Sequence, residues 1–323
     1  MSNKYLIWAV ALLCSTSCLG QAFSPRLILK NDYVGNTELK DSVGEYQKSA
    51  IKIGFVLPVF AKLRQNTKVD KPSFMAVLVH GMYGQTQMQM NPYFEKRTFH
   101  DISLGSSLIR TSRGENVLIA SLRFNIFEDA FTIKENISIL PTALLLYRIT
   151  KTNNTSYTFG GTYNYTLGYG LPIPLLGLSH NFSAKTKLNL MLPLSANFSY
   201  HPTNEWFFQA NLKPAGGLSY FNTDKSNFLN SESRVLLRNR ALRLGLKSAY
   251  SIKGLSFILE SGLLFKNSVT ISDTKSDLFQ AKNPYFESSI KPQSYFSLGI
   301  QFSLRGSDAK KTDPSGLDWL GFD

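Results

Sequence analysis

From Leu188 to Tyr200 every even position is apolar: Leu188, Leu190, Leu192, Leu194, Ala196, Phe198 and Tyr200. The odd positions are Asn189, Met191, Pro193, Ser195, Asn197 and Ser199. A period of two belongs to a strand, whose successive side chains point to opposite faces. The pattern recurs in YTFGGTYNYTLGY, where Tyr157, Phe159, Tyr163, Tyr165, Leu167 and Tyr169 share one phase against Thr, Asn and Gly on the other. It recurs again in LRLGLKSAYSI, and after Lys253-Gly254 the apolar phase moves to Leu255, Phe257, Leu259, Leu263 and Phe265. A two-residue hairpin there makes Ile252 face Leu255 and Lys247 face Glu260, so both apolar sets fall on one side of the sheet.

Weaker alternation marks residues 48–60, 73–84, 102–111, 116–127, 136–150, 174–182, 206–221 and 295–304, which makes about twelve strands. Turn chemistry separates them, at Arg113-Gly114, Thr152-Asn153-Asn154 and His201-Pro202-Thr203-Asn204. No convincing helical period is present. Strand length separates a soluble sandwich from a membrane wall. Soluble strands have a mode of about 5–6 residues, whereas a strand that crosses a bilayer needs about 9–11 and tilts by roughly 35–45°. The span from Tyr157 to Tyr169 predicts roughly 40 Å of strand, or about 30 Å along the membrane normal after tilting. Tyr157, Tyr169, Tyr200 and Trp206 are expected at the membrane borders, where an aromatic ring has an apolar body and a polar edge. Hydrocarbon offers backbone amides no partner, so such a sheet must close. The expected fold is all-β: a single closed antiparallel transmembrane β-barrel over residues 48–304. Pro174 and Pro193 sit badly in central strands and predict strand ends or bulges.

The first twenty residues read as a secretory signal peptide, with Lys4, the apolar run LIWAVALL and small residues before Gly20. The rival is a lipoprotein anchor at Cys18, which lacks the usual Leu three positions earlier. Cys14 and Cys18 are the two cysteines of the chain and both lie in this leader, so no disulfide is expected in the mature protein. Residues 21–47 are expected to be an N-terminal periplasmic segment, and residues 305–323 a C-terminal tail. The net charge of +13 on an exported chain argues against nucleic acid and for phosphorylated headgroups or small anions.

Ser297-Leu298-Gly299-Ile300-Gln301-Phe302-Ser303-Leu304 resembles the final-strand assembly signal of bacterial outer-membrane barrels, although further residues follow it. The stretch GLPIPLLGLSHNFSAKTKLNLMLPLSANFSYHPTNEW resembles an uncharacterised family of outer-membrane β-barrel proteins from Bacteroidetes, a domain of unknown function. The resemblance implies fold and an outer-membrane location in a Gram-negative bacterium; it implies no activity and no catalytic residues. Its implied partners are outer-membrane lipid, lipopolysaccharide and the outer-membrane assembly machinery.

In the expected register, Arg123, Arg148, Arg243, Lys247 and Glu260 fall on the polar, lumen-facing side. Basic rings favour anions in a pore, so the expected role is passive transport of small solutes with a weak anion preference. The alternative is a non-conducting structural or ligand-binding barrel acting through its outward loops; a third class is a soluble periplasmic sandwich. His80, His100, His180 and His201 stand in no recognisable spacing to Ser or Asp, and no glycine loop, zinc spacing or carboxylate pair is present, so no enzyme, metal or cofactor is expected. Residues 222–240 and 268–293 are polar and charged and are expected to be long loops on one rim of the barrel.

Overall fold

The computed structural model describes residues 25–64, 73–91, 94–112, 116–129, 138–165, 170–222, 234–273 and 284–303. They form one sheet of fifteen strands. The first eight are β1 (Arg26–Glu38), β2 (Glu45–Arg64), β3 (Ser73–Asn91), β4 (Phe94–Ser112), β5 (Asn116–Glu128), β6 (Ile139–Thr152), β7 (Thr155–Asn164) and β8 (Leu171–Asn181). The rest are β9 (Thr186–Leu192), β10 (Ser195–Tyr200), β11 (Trp206–Asn222), β12 (Arg234–Ile252), β13 (Leu255–Asp273), β14 (Phe286–Ile290) and β15 (Gln293–Ser303). Neighbours in the chain pair antiparallel, and β15 pairs with β1, so the sheet closes on itself. β14 and β15 lie one above the other along β13, separated by Lys291 and Pro292, so the wall has fourteen places.

Two places exceed the expected twelve. Arg26–Glu38, expected to precede the barrel, is its first strand: Leu27, Leu29 and Tyr33 point outward while Arg26, Lys30 and Asp32 point in. Its charged inner face lowers its average hydrophobicity and hides it from a reading that looks for apolar runs. The stretch from Leu188 to Tyr200 is two strands, because Leu194 N–H donates to Met191 O at 2.7 Å across a turn that contains a cis Leu192–Pro193 peptide. Met191 faces Ser195 and Leu188 faces Phe198. Each such pair sums to an even number, so even positions face even positions and the alternation passes through the turn unbroken. The Lys253-Gly254 hairpin has the expected register, with Lys253 and Gly254 at φ 45° and 86° and Lys247 opposite Glu260.

The outer surface carries the apolar phase. Ile53, Leu29, Ile300, Phe257, Tyr250 and Trp206 are consecutive cross-strand neighbours over six strands, and large apolar side chains such as Leu246 and Leu176 are more than 60% exposed. A continuous greasy belt of this kind is stable only against lipid. The soluble sandwich is therefore excluded, since its apolar faces would be packed against one another.

The wall is uneven in height. β2, β3, β4, β12 and β13 have 19 or 20 residues, about twice what a bilayer requires, whereas β9 and β10 have 7 and 6. The expected loops at 222–240 and 268–293 are in part these strand extensions: Arg234–Arg240 belongs to β12 and Ser268–Asp273 to β13. In β13 the polar residues alternate with Val269 and Ile271, whereas in β12 Val235, Leu236 and Leu237 are consecutive and all buried between Arg234 and Arg238. Above the short strands, β5 leans over to β11: Glu128 bridges Tyr220 in parallel, and Asp129 N–H donates to Tyr220 O at 3.2 Å. The ring there skips β6–β10 and keeps nine places, β1–β5 and β11–β14. Bulges at Arg240/Leu242 and a φ of 50° at Lys266 lie at this narrowing, as expected where strands must bend.

Rings of about eight strands are just filled by side chains, whereas wider ones leave space. The narrow ring follows that rule: Tyr46, Met90, Phe99, Phe221, Leu237 and Ile271 fill it, each at most 1% exposed. The wide ring below retains a cavity.

Candidate functional site

The cavity has a volume of about 710 Å³ and lies beneath the apolar plug. Its lining is uneven in chemistry. Lys48 and Lys52 from β2, Arg123 from β5, and Arg243 and Lys247 from β12 face it, and Arg148, Lys187 and Lys213 from β6, β9 and β11 complete eight cations against the two carboxylates Asp32 and Asp101. The opposite side is apolar: Leu144, Leu146, Leu175, Met191 and Leu194 line the cavity and pack with Ile119 and Ile173.

Part of the basic side is internally compensated. Arg243 meets Glu260 at 3.0 Å and stacks over the Tyr295 ring at 4.0 Å. Glu260 Oε1 also accepts from Tyr295 Oη at 3.0 Å and from Asn211 Nδ2 at 3.2 Å. Gly245 makes room for this knot, because a Cβ there would stand 1.9 Å from Tyr295 Oη and 3.0 Å from Glu260 Oε1. Asp32 is shared between Lys30 at 3.5 Å and Lys52 at 3.7 Å. Lys48 and Arg148 make no ion pair with a described carboxylate, and Arg148 Nε is buried without a hydrogen-bond partner. Among the described residues the lining therefore carries more cations than carboxylates, which is the chemistry of an anion acceptor.

The structure places the sequence-derived residues as follows. Arg123, Arg148, Arg243 and Lys247 line the cavity, and Glu260 is buried beside it. Tyr157, Tyr200 and Trp206 point outward and are about two-fifths exposed; Trp206 stacks on Phe208 with ring centroids 5.8 Å apart and packs on Tyr250 at 4.9 Å. Tyr169 and the segments expected to be a signal peptide and a C-terminal tail lie outside the described residues. The aromatic row from Tyr157 does not continue as one strand: β7 ends at Asn164, and Tyr165 turns inward to pack with Leu140, Leu218 and Leu236.

Lys48, Lys52, Lys187, Lys213, Asp32 and Asp101 were not singled out from the sequence. Each sits on its strand's inner phase, so the same parity rule applied to every strand would have found them. His80 hydrogen-bonds Ser107 at 3.1 Å, and Ser107 donates to Ser121 at 2.9 Å, a contact no spacing could reveal. Both His80 and Ser107 are 1% exposed, and Ser121 at the end of this chain lines the cavity. His100 bonds Tyr83 Oη at 3.0 Å, His180 bonds Thr155 Oγ1 at 2.8 Å, and His201 packs on Phe207. No group of three or more His, Cys, Asp or Glu that could hold a metal occurs among the described residues.

A closed antiparallel barrel with a lipid-facing belt and a polar lumen defines a membrane β-barrel protein. Within that class the chain belongs to the family described as Domain of unknown function (DUF6268), whose model matches residues 17–303. No curated protein matches it. Among solved structures, it is similar to the translocator domain of the autotransporter NalP from Neisseria meningitidis, at 12% identity over 93% of this chain and 96% of that one, with a TM-score of 0.38. It is also similar to an outer membrane channel from Pseudomonas putida F1, at 8% identity over 86% and 96% with a TM-score of 0.45. A third is OccK7 (OpdD) from Pseudomonas aeruginosa, at 10% identity over 88% and 100% with a TM-score of 0.34. Likeness at this level carries no functional argument.

Proposed function

We propose that this protein is an outer-membrane barrel that binds anions in its lumen and does not act as an enzyme. The observation that carries the reading is the pairing of a cavity with eight cations and two carboxylates with an apolar plug across the ring above it. A plugged ring favours the binding barrel over the alternative of a passive solute pore, and the basic lining favours anions in either case. The leader at residues 1–20, the closing-strand pattern in β15 and the lipid-facing belt support an outer-membrane location, with lipid and lipopolysaccharide around the wall and the outer-membrane assembly machinery reading β15. Gln21 and the LPIPLLG segment support a source among Bacteroidetes.

The test uses the mature chain in bilayers and nanodiscs. In planar bilayers the expected result is no stable conductance; in nanodiscs, inorganic phosphate is expected to raise the thermal midpoint, and the rise is expected to shrink with sodium chloride as screening sets in. Open, cation-selective conductance together with a phosphate-independent midpoint would reject the proposal.

A further inference from the structure

The wall has a gap that the anion site does not require. Among the described residues, β10 pairs with β11 only from Phe208 to Leu212 and the next partner on that edge of β11 is Glu128 at Tyr220, so Lys213–Ser219 face no described strand there. Across the gap, β9 pairs with β8 only from Leu176 down, which leaves Leu171–Leu175 without a described strand on that edge. The floor of the gap is the Leu192–Leu194 turn. β9, at 7 residues, rises roughly 18 Å along the membrane normal once tilted, short of the approximately 25 Å apolar band of such barrels.

Sequence chemistry holds the gap open. Pro172 and Pro174 on one edge and Pro214 on the other lack the N–H that a further strand would need. Gly216 at φ 152° and Gly217, whose Cβ would meet nothing within 4 Å, leave no side chain across it. All residues from Lys213 to Ser219 line the cavity, whereas a strand within a closed wall would present only alternate ones. The gap opens at lipid level, since Leu176, Leu192 and Leu212 at its margin are exposed on the outer face. A second groove of about 670 Å³, lined by Ala143, Leu145, Gly161 and Tyr163, runs over the outer surface to Pro172 and Pro174 at the same edge.

We infer that the cavity takes a single-chain amphipathic anion from the membrane, sideways through the gap between β8 and β11. This inference rests on the anion-binding reading and adds the ligand's chain and its route. The chain lies along the apolar wall formed by Leu144, Leu146, Leu175, Met191 and Leu194, and the anionic head reaches the cations beyond, Arg148 among them. A wholly polar anion would leave that apolar wall wet, and a two-chain lipid would have to desolvate a second chain against the basic side.

Dodecyl phosphate, inorganic phosphate and dodecanol are titrated into the mature protein in nanodiscs of zwitterionic lipid, with affinity read from the thermal midpoint. Dodecyl phosphate is expected to bind roughly a hundredfold tighter than inorganic phosphate, the effect of burying about four methylenes, and dodecanol to bind more weakly than dodecyl phosphate. Gly217→Trp, at a position where a Cβ would meet nothing within 4 Å, is expected to weaken dodecyl phosphate about tenfold or more and to leave inorganic phosphate unchanged. Gly217→Leu replaces it if the tryptophan variant does not show the folded mobility of a heat-modifiable barrel. Equal affinities for the two phosphates, or no effect of filling the gap, would overturn the inference while leaving anion binding intact. Failure of both phosphates to bind would remove the anion reading itself.

Discussion

At the residue scale, the lumen shows how a polar interior stays stable inside a membrane wall. Glu260 is 1% exposed and its partners include Arg243, Tyr295 and Asn211, so its desolvation is offset by charge and hydrogen bonds together. Losing one partner of a buried pair strands the other. Glu260→Gln is therefore expected to destabilise the barrel by about 3 kcal/mol, seen as a lower temperature for the shift from folded to unfolded mobility in gels. Arg243, Lys247 and Glu260 were legible in the sequence because the hairpin at Lys253-Gly254 fixes their register. The Tyr295 contact was not, because β15 reaches Glu260 only after the chain has closed.

At the scale of the element, the seam between β5 and β11 is the least predictable feature and the one that shapes the site. Arg97 donates to Asp129 Oδ2 at 3.0 Å, and the same carboxylate oxygen accepts from Asn222 N–H at 3.1 Å. Arg97 also lies over the Phe221 ring at 5.0 Å, and Arg234 pairs with Glu128 on the other side of the seam. Asp129→Ala removes both carboxylate contacts; it is expected to cost about 1–3 kcal/mol locally and to speed hydrogen exchange of the amides at Tyr220 to Asn222 while the lipid belt stays protected. Uniform protection in both proteins would show the seam to be incidental. Pro174 and Pro193 announced interruptions in the sequence: Pro193 falls in a turn, whereas Pro174, like Pro172, lies inside β8 on an edge that no described strand occupies.

At the scale of the whole molecule, two rings of different size share one sheet, the narrow one filled and the wide one hollow. Converting the filling to polar groups tests that division. Leu237→Ser with Ile271→Ser is expected to turn a silent barrel into a conducting one whose reversal potential favours anions, because ions would then pass the basic lining. A conductance with no anion preference would separate the lumen charges from the permeation path. The sequence by itself determined the alternation, the outward apolar face, the membrane-length strands and the inward cations, because these follow from side chains two residues apart on one strand. The strand count at the Pro193 turn, the seam, the plug and the lateral gap were decided by tertiary structure alone. Each depends on which distant strand lies alongside, and a period of two is blind to that: it reads the same through a hairpin of even register and on an edge that faces no partner.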